Sequence, residues 1–426
     1  MSPRLVVFML ALLLGLQPIT TDLYLPALPA LTGDLAGSLI QAQLTLTALL
    51  LAFGCSQLVW GPLSDRYGRR PVLLWGLALY VLAALACAAA PTFTWLIAAR
   101  AVQGVGMGAA VVCARAIVRD LYAPHEGARV MSQGLSGLGV LICVSAVLGT
   151  AVATGLGWRA ALTAVALFGA GTLALVALRF AETRPVPGNA SAPAALPLAT
   201  LAQTWLTILR HPTFQAFSAL ACATYAALFM FLAASSFVFI QTLGWSLPAY
   251  GAAMLAVSLA YLGGTFLCRY WLARHGLQRT AARAGGVSLL AGTLLVALYL
   301  AGAFSGPWGG VLLLLPVCLC LVGHGIHQPC SQTGAVGPFP QAAGAAAALN
   351  GFFMMCTAFG VGSWLGFRLQ GQLWPLVAGM AFWCACIAAV CWTLVWRLKL
   401  PAPAFSPPSP PSLPTRNLAG APPSGM

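Results

Sequence analysis

The sequence predicts an all-α integral membrane protein with twelve transmembrane helices. Three observations carry this. First, 60% of the 426 residues are hydrophobic and only 6% are charged, too few charges to cover a water-soluble domain of this length. Second, apolar runs of about 20 residues recur along the whole chain, each long enough to cross a hydrocarbon core of about 30 Å. Membrane strands would instead show segments of about ten residues with alternating polarity. Third, Lys and Arg fall almost wholly on alternate connections.

In chain order the spans are predicted at 5–28, 42–62, 72–90, 94–114, 132–154 and 159–179, then at 213–236, 249–270, 284–304, 308–328, 347–367 and 375–396. The first could pass for a secretory signal, but the many later spans make it an uncleaved helix. With both termini cytoplasmic, seventeen Lys and Arg occupy inner segments, from Arg4 and the Arg66, Arg69, Arg70 group to Arg397, Lys399 and Arg416. Only Arg159 and Arg368 lie outside, and Arg100 lies within a span. An omitted or invented helix would scramble that bias. The polar stretch 181–212 separates residues 1–180 from 213–397, and the Pro-rich tail 398–426 is expected to be disordered. Within the middle stretch, LAQTWLTILR suits a helix lying flat at the interface.

The net charge of +14 does not point to nucleic acid, because the basic residues form short clusters between apolar runs. Thirteen cysteines lie almost entirely inside those runs and read as small packing residues, not as disulfides or metal ligands. No G-x-x-x-x-G-K phosphate loop and no nucleophile or acid–base cluster is present, so no enzyme activity and no cofactor are expected.

Three stretches put charge where apolar sequence would be cheaper. QPITTDLYLPALP, residues 17 to 29, carries Asp22 as the sole charge between Leu5 and Leu31, followed by Tyr24. A carboxyl drawn out of water is disposed to exchange protons, and Pro26 and Pro29 break the helix beside it. GPLSDRYGRRP, residues 61 to 71, holds Gly61, Asp65, Gly68, Arg69 and Arg70 in the first inner connection, more than a topology anchor needs. LIAARAVQGVGMGAA, residues 96 to 110, buries Arg100 in an apolar helix, a functional candidate by default, with Gln103 one turn on. Its glycines are not a nucleotide fingerprint, since no strand precedes them; Gly104 and Gly108 suit close helix packing. Tyr225 and Phe229 either wall a cavity or face lipid, and His324 and His327 border the inner end of span ten. These histidines read as hydrogen-bonded structural residues, with metal binding or proton relay as the alternative.

G-x-x-x-D-x-x-G-R-R between spans two and three resembles the signature loop of the major facilitator superfamily. TTDLYLPALP, R-x-x-Q-G at Arg100, GWRAAL, AETRP and residues 323 to 352 resemble its drug:proton antiporters, especially the bicyclomycin and chloramphenicol resistance branch. The resemblance implies two pseudo-symmetric six-helix bundles around a central cavity that opens alternately to each side. It implies that Asp22 and Arg100 couple proton movement. Gly61, Asp65, Gly68, Arg69, Arg70 and Asp120 would form a gate, with Asp65 capping a helix of the second half and Arg69 pairing with Asp120. Asp22, Tyr24, Arg100, Gln103, Tyr225 and Phe229 would line the cavity. The expected substrate is a small amphipathic drug-like compound, the setting a bacterial inner membrane, and the state a monomer. Two departures stand out: Ala146 in SAVLGTAVATGLGWR replaces the antiporters' span-five proline, and Cys268 stands where the second half's loop would carry an acid. A facilitator or proton-coupled carrier of sugars, nucleosides or other metabolites therefore stays open.

Overall fold

The computed structural model describes residues 2–122, 124–183, 198–369 and 371–398, and every regular element among them is helical. The middle of the predicted connection, residues 184–197, and nearly all of the predicted tail lie outside the described residues. Helix α1 (Pro3–Asp22) begins after a Ser2 cap and ends at the carboxylate-bearing residue itself. A short 3₁₀ turn, Leu25–Ala27, holds Pro26, and Pro29 opens the first turn of α2 (Leu28–Asp34). The paired prolines thus interrupt the first span where the sequence places the break, since proline lacks the amide proton a helix interior needs.

Helices α3 (Leu39–Tyr67), α4 (Arg69–Ala88) and α5 (Phe93–Leu121) follow, each starting after a capping residue or a glycine. Ser38 and Gln41 form a reciprocal capping box on α3, and the Thr92 hydroxyl caps α5. Then come α6 (Pro124–Arg179), the short amphipathic α7 (Leu198–Arg210) and α8 (Pro212–Ser236). The chain continues with α9 (Leu247–Leu300), α10 (Gly309–Val336), α11 (Ala343–Arg368) and α12 (Trp374–Val390).

Among the described residues ten helical segments are long and apolar enough to cross a membrane. Two of them run for 47 and 54 residues, at least twice the ~20 that a single crossing uses. Each contains one glycine in the left-handed region, Gly157 at φ +82° and Gly276 at φ +72°, where an L side chain would be strained. These glycines divide each long helix into two, which gives twelve crossings. Between the eighth and ninth spans hydropathy predicts a connection at 271–283. Helix instead runs up to Gly276 and resumes at once, because Leu, Ala, Arg and Gln all favour helix and only the glycine turns the chain.

The first helices pack among themselves, α1 on α6, α3 on α5, and α4 on both α5 and α6. The later ones do likewise, α9 on α10 and α12, and α8 on α10, α11 and α12. Two pairs make most of the contact between the groups: α3 with α11, and α6 with α9. Small residues set these distances. Gly104 lies against the backbone of α3 at Leu49 and Phe53, and Gly108 against Ser56. Gly106, on the opposite face, meets Gly76 and Tyr80 of α4. In lipid no hydrophobic force pulls helices together, so backbone approach of this kind supplies the van der Waals contact. All thirteen cysteines are free thiols, in keeping with a packing role.

Candidate functional site

Asp22 closes α1 at the level where α6 crosses it. Its Oδ2 accepts from the Ser145 hydroxyl at 3.1 Å and its Oδ1 from Thr21 at 3.3 Å. The side chain is half-buried, neither sealed in the core nor out in bulk water. Ser145 belongs to the stretch in which the antiporter proline is missing, and that stretch makes the crossing. A Cβ on Gly149 would stand 2.8 Å from Leu23 Cα and 2.9 Å from the Asp22 carbonyl oxygen, so α6 touches the α1 backbone there. One residue on, Thr150 packs on Gly251 of α9. The carboxyl therefore sits beside one of the two seams between the helix groups.

Arg100 does not meet it. Residues two apart on a helix point about 200° apart, so Thr20 and Asp22 face different neighbours. Thr20 turns towards α4 and α5, where its hydroxyl is 2.5 Å from the Tyr80 hydroxyl and its carbonyl oxygen accepts from Arg100 Nη1 at 3.4 Å. The guanidinium lies 4.0 Å from the centre of the Tyr24 ring and donates to Gln103 Oε1 at 3.0 Å. Arg100 and Gln103 are fully buried, and Tyr24 donates to or accepts from Thr45 at 2.8 Å. Arg100 is thus a core arginine bonded to a carbonyl and stacked on an aromatic, holding α1 to α5 through backbone and ring.

The six cavity candidates divide accordingly. Tyr24, Arg100 and Gln103 lie in the packed interior of the first helix group and line no open space. Phe229 is 2% exposed and packs beneath Gly362 of α11, where a Cβ would stand 2.7 Å from its ring. Helical phase decides this: an aromatic on a span with buried residues all round meets a neighbouring helix on most of its faces. Tyr225 differs, because its hydroxyl accepts from Gln17 Nε2 at 2.9 Å, a direct hydrogen bond between α1 and α8 and so between the two groups. Gln17 was legible only as a lone polar residue in the first apolar run. Gln43, likewise overlooked, donates from α3 to the Ala233 carbonyl of α8 at 2.5 Å.

At the far end of α3 the conspicuous loop forms a charge network. Arg69 Nη1 bonds Asp65 at 2.7 Å and Ser64 at 2.9 Å, and its Nε bonds Asp120 Oδ2 at 2.8 Å. Arg69 is 4% exposed and the Asp120 side chain 7%, so this pair is largely desolvated. Gly68 takes φ +99°, and the two backbone amides that follow, Arg69 N and Arg70 N, donate to the Glu182 carboxylate at 2.9 and 3.0 Å. The Arg70 guanidinium bonds the Ala177 and Phe180 carbonyls. Glu182 thereby caps the N-terminus of α4, a place where a negative charge is favourable. It stands in AETRP, where neither spacing nor hydropathy marks it as a cap. Gly61 has open space at its Cβ position, so close packing does not require it.

Asp65 was to cap a helix of the second half, but its bonds go to Arg69 and, at 3.7 Å, to Arg119, both in the first half. Its side chain is 62% exposed, and two guanidinium partners on its own and the adjacent helix outcompete a more distant helix end. Arg119 is the residue that reaches towards α11, at Gly344. The histidines also move: His324, 3.0 Å from the Thr224 hydroxyl, and His327, 3.3 Å from that of Ser288, are buried between helices of the second group, not at its mouth. Among the described residues no group of three or more His, Cys, Asp or Glu is placed to hold a metal ion.

Arg69→Ala should destabilise the protein by about 3–5 kcal/mol, since it strips the nearly buried Asp120 of its close partner and leaves it only Arg119 at 3.9 Å. Thermal unfolding in detergent would read this, and Asp120→Asn in the same chain should recover part of it. An unchanged midpoint in the single variant would mean that the pair contributes nothing.

Comparison with known proteins bears on this architecture directly. The family model described as Major Facilitator Superfamily matches residues 10–363. Multidrug resistance protein D of Escherichia coli (strain K12) is 31% identical over 353 residues, 80% of this chain and 84% of that protein. Multidrug resistance protein MdtL of Escherichia coli (strain K12 / DH10B) is 27% identical over 375 residues, 88% of this chain and 91% of its own. Among solved structures, a bacterial homolog of the human lysosomal transporter Spinster, inward-facing and occupied, superposes with a TM-score of 0.69 at 14% identity. It covers 93% of this chain and 97% of that one, a likeness of fold alone. A family match over most of its length and a helix arrangement shared with solved transporters make this multi-pass membrane chain a member of the Major Facilitator Superfamily.

Proposed function

We propose that the chain is a proton-coupled exporter of small amphipathic drug-like compounds, acting by alternating access in a bacterial inner membrane with both termini cytoplasmic. The observation that carries this reading is the similarity to Multidrug resistance protein D over most of both chains. The half-buried carboxyl of Asp22, set beside the α6–α9 seam, supports the coupling.

In this reading the two helix groups rock about the α3–α11 and α6–α9 contacts, and the Gln17–Tyr225 hydrogen bond breaks as the space between them opens. A neutral, protonated Asp22 disfavours a neutral or cationic drug; once the carboxyl releases its proton to the inner side, the drug is admitted. Reprotonation from the outer side then expels it. Ser145 and Thr21 steady the anionic form by donating to its two oxygens. Arg100 acts through α1, whose backbone it holds at Thr20, as a positioning residue and not as a partner of the acid. The charge network around Arg69 keeps the inner ends of the first group together while the groups move.

A susceptibility panel in a host stripped of its own pumps tests the proposal. Expression should raise tolerance to at least one amphipathic antibiotic several-fold, and an uncoupler should abolish the gain. Accumulation of a sugar or nucleoside along the proton flow, with no drug phenotype, would instead establish the metabolite carrier that the altered span-five stretch keeps open.

A further inference from the structure

The two helix groups neutralise their basic residues differently. All six acidic residues, Asp22, Asp34, Asp65, Asp120, Glu126 and Glu182, occur in the first 182 positions, and none follows. Ten Lys and Arg do follow, from Arg184 to Arg416. The ion pairs that Asp65 and Asp120 make with Arg69 and Arg119 all lie in the first group.

The internal repeat shows what is missing. In the first group a left-handed glycine, Gly68, opens α4, and the side chain two residues on, Arg70, bonds the Ala177 and Phe180 carbonyls. In the second, Gly276 opens the latter part of α9, and the side chain two residues on, Gln278, bonds the Val395 carbonyl at 3.1 Å and the Leu398 carbonyl. The two arrangements share one register. Two residues beyond Phe180 stands Glu182, whose carboxylate neutralises this end of the first group; two beyond Leu398 stands Leu400, which carries no charge. Three residues before Gly68 stands Asp65; three before Gly276 stands Ala273, which carries no charge.

The end of the second group therefore presents a positive surface to which its own half contributes no acidic side chain. Arg274, Arg279, Arg283 and Arg397 are all exposed. Arg274 lies over the Tyr270 ring, 4.2 Å from its centre. Arg279 and Arg283 are one turn apart on one helix face, where like charges repel. Beside them the Trp392 indole donates to the Ala282 carbonyl at 3.0 Å, yet Trp392 and Trp396 are 47% and 55% exposed. Exposed indoles at the end of an apolar span belong at the lipid–water boundary, where a partner offers both hydrocarbon and polar oxygen.

We infer that the Arg279–Arg283 face with Trp392 and Trp396 is a binding surface for the phosphate headgroup of anionic phospholipids. The lipid supplies the negative charge that Asp65, Asp120 and Glu182 supply in the first group. A topology signal alone needs only the count of charges; a lipid surface needs these side chains on one face beside indoles, which is what the fold provides.

Native mass spectrometry of the full-length protein, incubated with phosphatidylglycerol or phosphatidylcholine, tests this. The wild type should retain several-fold more phosphatidylglycerol, and Arg279→Gln/Arg283→Gln should lose that preference while keeping the wild-type thermal midpoint in phosphatidylcholine. Arg368→Gln, at the opposite end, should keep it. No preference in the wild type, or a preference unaltered in the double variant, overturns the inference; so does inorganic phosphate displacing the lipid at equal concentration, because the site would then read phosphate alone. If the double variant does not insert, ionic strength decides: raised salt must erase the wild-type preference, and its survival sinks the proposal.

Discussion

Asp22→Asn should insert and fold as the wild type does, yet lose proton-driven export by more than about tenfold, a difference of ~1.4 kcal/mol in the limiting barrier. Asparagine keeps the side-chain volume and can still accept from Ser145, so the crossing of α1 and α6 survives. What disappears is the capacity to carry a proton. The amide is permanently neutral and mimics the protonated carboxyl, which in the proposed cycle is the form that turns the drug away. The measurement is substrate flux in everted vesicles under an imposed pH gradient, beside a thermal-unfolding control. Export at the wild-type rate would show that the proton travels elsewhere. Ser145→Ala should give a milder version of the same defect, by removing one donor to the carboxylate.

Gly106→Ala should cost about 1–3 kcal/mol through overpacking. A Cβ at that position would stand 2.6 Å from the Gly76 carbonyl oxygen and 2.6 Å from the Tyr80 amide nitrogen. Both are backbone atoms of α4, which cannot swing aside as a side-chain tip would. Replacing a helical glycine by alanine gains about 1 kcal/mol in propensity, so the clash has to exceed that gain to show. Gly171→Ala provides the contrast, because nothing lies within 4 Å of a Cβ there and only the propensity gain should register. Opposite signs for the two variants in a detergent-melting series are the expected result; two equal stabilisations would mean that α4 and α5 give way more easily than their backbone contact implies.

Much of this protein could be read along the chain. Hydropathy gave the spans, Pro26 and Pro29 the break after α1, and Arg69 with Asp120 a pair that the structure brings to 2.8 Å. Periodicity placed Arg100 and Gln103 on one face, and they do bond. Phase between helices was another matter. Asp22 and Thr20 differ by two positions, which is just over half a turn of the helix, so the acid faces Ser145 while the arginine finds the Thr20 carbonyl. No local pattern reveals which neighbour lies on which side. Gln17, Ser145 and Glu182 escaped notice for the same reason, their partners standing 208, 123 and 113 residues away.

Composition and spacing by themselves determined that the chain lives in a bilayer, crosses it repeatedly, and sets charge within or against apolar sequence at three places. These follow from the cost of moving polar groups into hydrocarbon, which acts on each segment alone. Which charges meet, which side chains seal the interior, and which arginines share a face with indoles depended on how the helices rotate and stack. That rotation is set by glycine contacts between distant helices, an interaction that single-segment hydropathy does not contain.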